Sequence, residues 1–326
     1  MAVHYIFGSA GAGKSYELCR RIKELAKKEP GTRYLVIVPE QFTLQTQKDF
    51  VTISDENRGI MNIDVLSFLR LAYRVFEGTG GADRLVLEDT GKSMIVKKVA
   101  MQHEGELLMF GRNVHKAGFI SEIKSILSEF YQYDIGEEEL LQMQQAAGGN
   151  AALKRKLSDI ALLYRGFKDF LADRYITTEG ILSLLGEKAE NSRMIVGSVF
   201  CFDGFTGFTP SQYALLAELM KQARDCYFTV TMDPACVFHK QGEYELFYMS
   251  SKTVQWVDKL SVKSGQEIAC PTILEGGGRY GAAESLKFLG SHIFRPVRAA
   301  YKKEQENIGI YAHRDIHAEI TWAVTE

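Results

Sequence analysis

Residues 1–84 switch repeatedly between short, continuous apolar runs and segments whose apolar positions recur at helical spacing. Short apolar runs bounded by turn residues predict buried strands, whereas the spacing i, i+3, i+4 predicts amphipathic helices. The predicted strands lie at residues 3–7, 33–39 and 60–68, and the predicted helices at residues 15–27, 40–50 and 69–78. Strands that alternate with helices indicate a parallel sheet with right-handed crossovers.

The pattern changes in residues 85–190, where apolar positions keep helical spacing almost without interruption. We interpret this stretch as an all-α insertion subdomain whose apolar stripes serve helix packing. Strand-like runs return at residues 193–205 and 225–234, with a helix between them that Thr209 caps and Pro210 begins. The last helical pattern continues to the end of the sequence without a stop signal, which favours a chain that extends further.

The composition is that of an ordinary soluble globular protein, with 46% hydrophobic and 25% charged residues. A net charge of -2 provides no broad basic surface for nucleic acid, so any contact with DNA must be local. No apolar run approaches the ~18 residues that a membrane span needs, and the N-terminus leaves no room for a signal peptide. The five cysteines form no C-x-x-C pair, which indicates free thiols in a cytoplasmic protein.

The segment FGSAGAGKS, residues 7–15, has the spacing G-x-x-x-x-G-K-S of a phosphate-binding loop between a strand and a helix. In such a loop the backbone wraps around phosphate, the lysine neutralises its charge and the serine ligates Mg²⁺. The candidate nucleotide-binding residues are Gly8, Ser9, Ala10, Gly11, Ala12, Gly13, Lys14 and Ser15. A plain glycine-rich turn would not need the Lys-Ser pair. A second match, TGKS at 90–93, lacks the first glycine, and we interpret it as a helix start.

A P-loop ATPase also needs an aspartate after another strand, to hold Mg²⁺ through water, and usually an adjacent glutamate that orients the attacking water. Asp203 follows the apolar run VFCF, so Ser15 and Asp203 are the predicted Mg²⁺ residues. The next residue is Gly204, and the absence of a positioned base typically costs ~10²–10⁴-fold in rate. Asp-Gly is also a strong turn pair, and this plainer interpretation stays open. We therefore expect ATP and Mg²⁺ to bind, and we name no catalytic residue.

These segments resemble the AddB family, a subunit of the bacterial AddAB helicase-nuclease. The resemblance rests on FGSAGAGKS and on further segments that follow in family order along the chain: LVIVPEQFTLQTQ (35–47), DVLSFLRLAYRVF (64–76), FDGFTGFTPSQYALLAELM (202–220), FTVTMDP (228–234) and ELF (245–247). The phosphate-binding loop alone is unspecific. The Ser-Phe-x-Arg-Leu-Ala and Phe-Asp-Gly-Phe-x-x-Phe-Thr-Pro segments are specific to the family.

The resemblance implies a P-loop, RecA-like fold of the superfamily 1 helicase type. Residues 1–84 would be its first part, residues 85–190 the helical insertion, and residues 191–326 its return with the start of a further segment. It also implies a nucleotide-binding, motor-deficient subunit of a complex that resects DNA double-strand breaks and recognises Chi. AddA would be the motor partner, and duplex ends and the 3′-ended single strand would be the DNA partners. The nuclease domain and its iron–sulfur cluster are expected outside these 326 residues, so this part is not expected to cut DNA.

The resemblance also suggests candidates for contact with the DNA strand, in the loops that follow the second and third predicted strands. Phe42, Phe68 and Arg70 could stack on bases or contact phosphate there. The plainer interpretation, that the aromatic rings belong to the core and Arg70 is solvated, is favoured because neither loop is basic. Two other functions stay open for the chain as a whole, a P-loop kinase with residues 85–185 as its lid, and an interaction scaffold with a relic P-loop.

Overall fold

The computed structural model describes residues 1–52, 62–80, 85–133, 135–171, 174–239, 241–275, 278–280, 282–295 and 299–325. Its strands are β1 (Ala2–Gly8), β2 (Tyr34–Ile37), β3 (Ile63–Leu66), β4 (Leu85–Leu87), β5 (Tyr175–Thr177), β6 (Val199–Phe202), β7 (Asp225–Thr231), β8 (Glu267–Ile268) and β9 (Thr272–Leu274). Its helices are α1 (Lys14–Lys28), α2 (Thr43–Thr52), α3 (Phe68–Thr79), α4 (Asp89–Gln102), α5 (Ala117–Gln132), α6 (Glu137–Ala146), α7 (Ala151–Leu171), α8 (Thr178–Lys188), α9 (Pro210–Gln222), α10 (Tyr248–Ser264), α11 (Glu284–His292) and α12 (Ile316–Thr325).

A parallel sheet in the order β3-β2-β6-β7-β1-β8 forms the central layer, and β9 also pairs with β1. The expected α/β architecture with a parallel sheet is therefore confirmed. Strand β7 lies between β1, which leads into the glycine-rich loop, and β6, which leads into Asp203. Because the strands are parallel, the residues that follow all three of them meet at one edge of the sheet.

Both faces of the sheet are buried, which explains why its strands read as continuous apolar runs. On β6, Phe200 and Phe202 face one core with side chains of α3, α8, α9 and α10, and Val199 and Cys201 face the other with side chains of α1 and α2. This alternation is the period of two that a strand imposes on its side chains. None of the helices in the described ranges combines the length and the apolar character needed to cross a membrane.

Helices α4 to α7 enclose a separate apolar core that runs from Leu87 to Leu171. One carboxylate holds a turn of this unit in place. Asp159, 1% exposed on α7, accepts backbone N–H groups from Leu108, Met109 and Phe110 at 2.8, 2.8 and 3.0 Å. The three hydrogen bonds satisfy a carboxylate that would otherwise be buried without partners, which is costly.

The structure corrects the sequence-based picture of the helical stretch, because residues 85–190 are not entirely helical. Strands β4 and β5 pair in parallel at the two ends of the helical unit. A strand of three residues carries too little periodicity to be recognised, and its partner lies far away in sequence. Residues 81–84, next to the expected boundary, and residues 60 and 61 of the expected third strand lie outside the described residues.

One further expectation about the strands was wrong in detail. The run at 193–205 forms a strand only over β6, because Gly197, at φ +72°, places a turn before it and donates its N–H to the carbonyl of Gln222. The short strands β8 and β9, which extend the sheet beyond β1, were not expected at all. The predicted cap of α9 is confirmed, since the Thr209 hydroxyl accepts the N–H of Gln212.

Candidate nucleotide-binding site

The loop between β1 and α1 turns on two glycines in the left-handed region of backbone conformation. Gly11 has φ +76° and Gly13 has φ +92°, values that residues with a Cβ atom rarely adopt. The carbonyl of Gly13 accepts the N–H of Glu17 at 2.9 Å, so the loop passes directly into α1. The free N–H groups and the dipole at the start of such a helix favour an anion at this point.

The side chain of Lys14 folds back over the loop that precedes it. Its ammonium donates to the carbonyl oxygens of Gly8 at 3.1 Å and Ser9 at 2.9 Å. Burial lowers the pKa of Lys14, and the Asp203 carboxylate acts in the opposite direction. The ammonium is therefore held beside the loop by two weak neutral acceptors, which a phosphate group could replace with a charge-assisted hydrogen bond.

The structure brings the two predicted Mg²⁺ residues together. The Ser15 hydroxyl donates to Oδ1 of Asp203 at 3.1 Å, and the Thr229 hydroxyl of β7 donates to the same oxygen at 2.5 Å. Asp203 is 6% exposed, and its own N–H bonds to the carbonyl of Ile37 at 3.0 Å. Thr229 of β7 thus fixes the carboxylate, and β2 fixes the backbone of the same residue.

The position after Asp203 carries no side chain. Gly204 has φ +76° and is exposed, and a Cβ atom there would lie 3.6 Å from both Phe42 and Pro39, which is ordinary contact. The missing glutamate is therefore not excluded by lack of space. The backbone conformation itself favours glycine, in agreement with the alternative interpretation of Asp-Gly as a turn pair.

Residues 278–280, which are distant from the loop in sequence, cover one side of it. The N–H of Arg279 donates to the carbonyl of Gly11 at 2.9 Å, and the Tyr280 ring lies against Gly11, within 2.7 Å of the position a Cβ atom would take. Tyr280 and the loop residues Ser9 to Ala12 line a cavity of about 460 Å³, which Asp233, Leu286 and Leu289 also border. This cavity lies beside the loop and has mostly apolar walls.

The residues present fit a nucleotide phosphate with Mg²⁺. Ser15 and Asp203 offer the hard oxygen donors that this ion prefers, and Lys14 offers the cation for the phosphate charge. A Cβ atom added at Gly13 would have no atom within 4 Å, so the N-terminus of α1 is open to a ligand on that side. Among the described residues, no group of three or more histidine, cysteine or acidic side chains is arranged to hold a metal without a nucleotide.

The candidates for strand contact lie outside the loop itself, and one of them, Phe42, lies beside Gly204. Phe68 is 6% exposed and packs on Phe202 and Phe205, with ring centroids 6.2 and 5.6 Å apart, so it belongs to the core. Phe42 is 45% exposed. Arg70 pairs with Glu40 at 3.0 Å, and both side chains are more than half exposed. The plainer interpretation therefore holds for Phe68, while Phe42 stays accessible.

Sequence reasoning missed Thr229, Arg279 and Tyr280 as neighbours of the loop. Thr229 had a recognisable signal, because it is a polar residue within the buried run of β7. Arg279 and Tyr280 had none, since their contact with the loop depends on how the chain returns to β1 through β9.

Comparison with known proteins agrees with the family motifs along the chain. A family model described as "ADDB, N-terminal" matches residues 5–290. A protein of Lachnoclostridium phytofermentans, named as a subunit of an ATP-dependent helicase/deoxyribonuclease, is 48% identical over all of this chain and 29% of its own length. Proteins of the same name from Thermoanaerobacter sp. (strain X514) and Desulforudis audaxviator are 32% and 33% identical, over 98% and 100% of this chain and 28% of each relative. The chain thus spans less than a third of the length of these curated relatives.

Proposed function

This chain belongs to the AddB N-terminal family, and from that membership we propose that it is the nucleotide-binding, motor-deficient helicase-like part of an AddB protein. That protein would act in a helicase-nuclease that resects DNA double-strand breaks, with AddA as the partner and motor. Duplex ends and the 3′-ended strand would be the DNA partners. The nuclease domain and its iron–sulfur cluster would lie in the part of the relatives that this chain does not match.

The contact between Ser15 and Asp203 carries the proposal of a nucleotide site. An ordinary glycine-rich turn does not need a buried carboxylate beside the first turn of the helix. Here, the carboxylate is fixed by two hydroxyls and lies beside the residue that follows the loop lysine. The loop would bind the phosphates, with Lys14 neutralising their charge, and Ser15 and Asp203 would hold Mg²⁺. When bound, the nucleotide with its Mg²⁺ supplies a phosphoanhydride that can be hydrolysed.

Gly204 carries the proposal of motor deficiency. Asp203 can take part in binding Mg²⁺, but the residue beside it offers no carboxylate to orient an attacking water. Positioned acid–base groups contribute about 10²–10⁴-fold to a rate, so slow or undetectable hydrolysis is expected. Nucleotide binding would then serve the conformation or assembly of the complex, and AddA would supply movement.

The segment from Gly278 to Tyr280 supports a second candidate function, that of a scaffold with a relic P-loop. Gly278 packs so closely on Gly11 and Ala12 that a Cβ atom there would overlap with the loop backbone. If this cover cannot move, the loop keeps its shape without any ligand. The chain would then contribute only protein and DNA contacts to the complex.

A nucleotide titration separates the two candidates. A fluorescent ATP analogue with Mg²⁺ is titrated against the wild-type chain, Lys14→Ala, and Lys48→Ala as a control with an exposed lysine on α2, and phosphate release is followed in parallel. We expect wild-type and Lys48→Ala binding to agree. Lys14→Ala should bind roughly 10- to 100-fold more weakly, because it loses a charge-assisted contact. Rapid phosphate release would contradict motor deficiency, and a folded wild-type chain that binds no nucleotide would favour the scaffold.

A further inference from the structure

A groove away from the P-loop runs between α9 and α10 and has a volume of about 870 Å³. Its floor and one wall are a single stripe of α10, formed by Met249, Lys252, Thr253, Trp256, Leu260 and Lys263. These positions recur at the three- and four-residue spacing of one helix face. Residues 206–210, in the loop that follows Asp203, line one end of the groove, so this end lies at the same edge of the sheet as the candidate nucleotide site.

The groove presents aromatic rings to solvent. Trp256 is 43% exposed and stacks on Tyr213 of α9, with ring centroids 5.5 Å apart and an interplanar angle of 28°. Tyr133 lines the groove from the end of α5 and is 57% exposed. Exposed rings that cluster in one apolar groove, unlike single exposed rings, are typical of a binding surface.

The charge on the groove has one sign. Its described lining contains Lys252 and Lys263 and no carboxylate. The acidic residue of α10, Asp258, is turned to the opposite side, where its Oδ1 accepts the hydroxyl of Tyr5 at 2.7 Å. A third lysine, Lys259, lies 5.0 Å above the Trp256 ring. The groove is therefore locally cationic on a chain whose net charge is -2.

We propose that the groove between α9 and α10 binds single-stranded DNA, with a base stacked at Trp256 and the phosphates near Lys252 and Lys263. Aromatic faces interleaved with lysines are the combination that single-strand binding uses without sequence preference. Lys263 follows Lys252 by about eleven residues of helix, or about 16 Å along the axis, so they contact different phosphates of one strand. A base at Trp256 displaces only the exposed ammonium of Lys259, which then becomes free to pair with a phosphate.

The charge distinguishes this occupant from a protein segment. An apolar helix from another part of a longer chain, or a second copy of this one, would cover the rings but would offer no anionic groups to the two lysines. A DNA strand can both stack on the rings and pair its phosphates with the lysines. The choice of a DNA strand as the occupant rests on the proposed function, but the site does not depend on the P-loop, because none of the described residues that line the groove belongs to the loop.

The chain carries its own probe for the test. It contains two tryptophans, so the substitution Trp322→Phe leaves Trp256 as the single emitter. Oligodeoxythymidylate is titrated against this form at several salt concentrations, and the emission of Trp256 is followed. We expect the emission to be quenched on binding, because a base stacked on the excited indole opens a non-radiative route for its decay.

The variants then assign the contacts. Trp256→Ala should bind the strand about 10-fold more weakly by anisotropy of a labelled strand, whereas Trp256→Phe should retain most of the affinity. The pair Lys252→Gln and Lys263→Gln should lower the slope of log K against log salt by about 1.4, about 0.7 for each phosphate contact. Lys97→Gln, an exposed lysine on α4 of the helical unit, serves as the matched control and should leave the slope unchanged.

Equal affinity of the wild type, Trp256→Ala and the double lysine variant for the strand would overturn the proposal, because the strand would then bind elsewhere. Emission from Trp256 that depends on protein concentration and not on the strand would overturn it in favour of a second copy. Lys14→Ala should bind the strand as the wild type does. The proposal for the groove and the proposal for the nucleotide site can therefore be contradicted independently.

Discussion

The hydroxyl of Ser15 donates a hydrogen bond of 3.1 Å to the carboxylate of Asp203, a residue 188 positions further along the chain. Three parallel strands make this contact possible, since β1 and β6 end at the same edge of the sheet and β7 between them supplies Thr229. Each of the three side chains is short, so a change at any of them tests the geometry of the site with little effect on the core.

We expect Asp203→Asn to lower the affinity for the nucleotide about 10- to 100-fold in the presence of Mg²⁺, and much less in the presence of EDTA. The amide keeps an oxygen for the hydroxyls of Ser15 and Thr229 but loses the charge that holds the ion. Nucleotide titrations at graded Mg²⁺ concentrations measure the difference. An equal loss with and without Mg²⁺ would show that Asp203 only supports the shape of the loop.

Gly11 and Gly204 form a matched pair, because both have φ +76° and only their surroundings differ. Gly204→Ala should lower the free energy of unfolding by about 1–2 kcal/mol, the cost of the left-handed conformation alone. Gly11→Ala should cost clearly more, since its Cβ atom would lie 2.7 Å from the Tyr280 ring. Urea denaturation measures both changes.

The variant Tyr280→Ala provides the control for this pair. In its background the additional cost of Gly11→Ala should disappear, while that of Gly204→Ala should stay the same, because only the first contacts the ring. If Gly11→Ala remains costly without the ring, then the loop and not the covering segment sets its conformation.

The hydrogen-bonded pair of the buried Tyr5 and the half-buried Asp258 should make stability depend on pH. Burial raises the pKa of Asp258, and the hydrogen bond from Tyr5 acts against that rise. The protonated carboxyl is thus favoured on folding, so stability falls as the pH rises from the ordinary value of 3.8 through the raised pKa. Tyr5→Phe removes the donor, and we expect it to cost about 1.5–3 kcal/mol at neutral pH.

The cost of Tyr5→Phe should shrink as the pH falls towards 3.8, because a protonated Asp258 no longer needs the donor. Urea denaturation across this range measures the trend. In an Asp258→Asn background the same substitution should have a cost that does not change with pH. A pH-dependent cost in that background would assign the titration to another group.

In the helical unit, we expect Asp159→Asn to lower the free energy of unfolding by about 1–3 kcal/mol. The carboxylate accepts three N–H groups on two oxygens, whereas the amide has one oxygen and presents its own N–H groups to the remaining donors. Asp169→Asn, an exposed position on the same helix α7, should change it by no more than about 0.5 kcal/mol. Hydrogen exchange of residues 108–110 reports the loss directly, and unchanged exchange there would contradict the role of Asp159.

The sequence allowed the sheet, its buried strands and the loop between β1 and α1 to be predicted, because continuous apolar runs and glycine spacing are local signals. Asp203 could be placed at the end of a strand for the same reason. Its pairing with Ser15 followed from what a Mg²⁺ site of a P-loop needs, whereas the strand order that places β7 and Thr229 between β1 and β6 could not be predicted.

Features that depend on distant pairing escaped prediction. The strands β4 and β5 are short, and each is stabilised by a partner on the other side of the helical unit. The cover of the loop by Tyr280 likewise depends on where β9 pairs with β1. Such contacts follow from tertiary packing, which overrides the weak local preferences of three-residue segments.

The pairing of β4 with β5 brings the two ends of the helical unit to neighbouring strands, with Leu85 opposite Tyr175 and Leu87 opposite Thr177. The helical unit is therefore attached to the rest of the chain at two adjacent points, like a single long loop. The entropy lost on closing such a loop grows only slowly with its length. The length of the helical unit is therefore only weakly coupled to the sheet edge where Ser15 meets Asp203, because its two ends stay at adjacent points whatever lies between them.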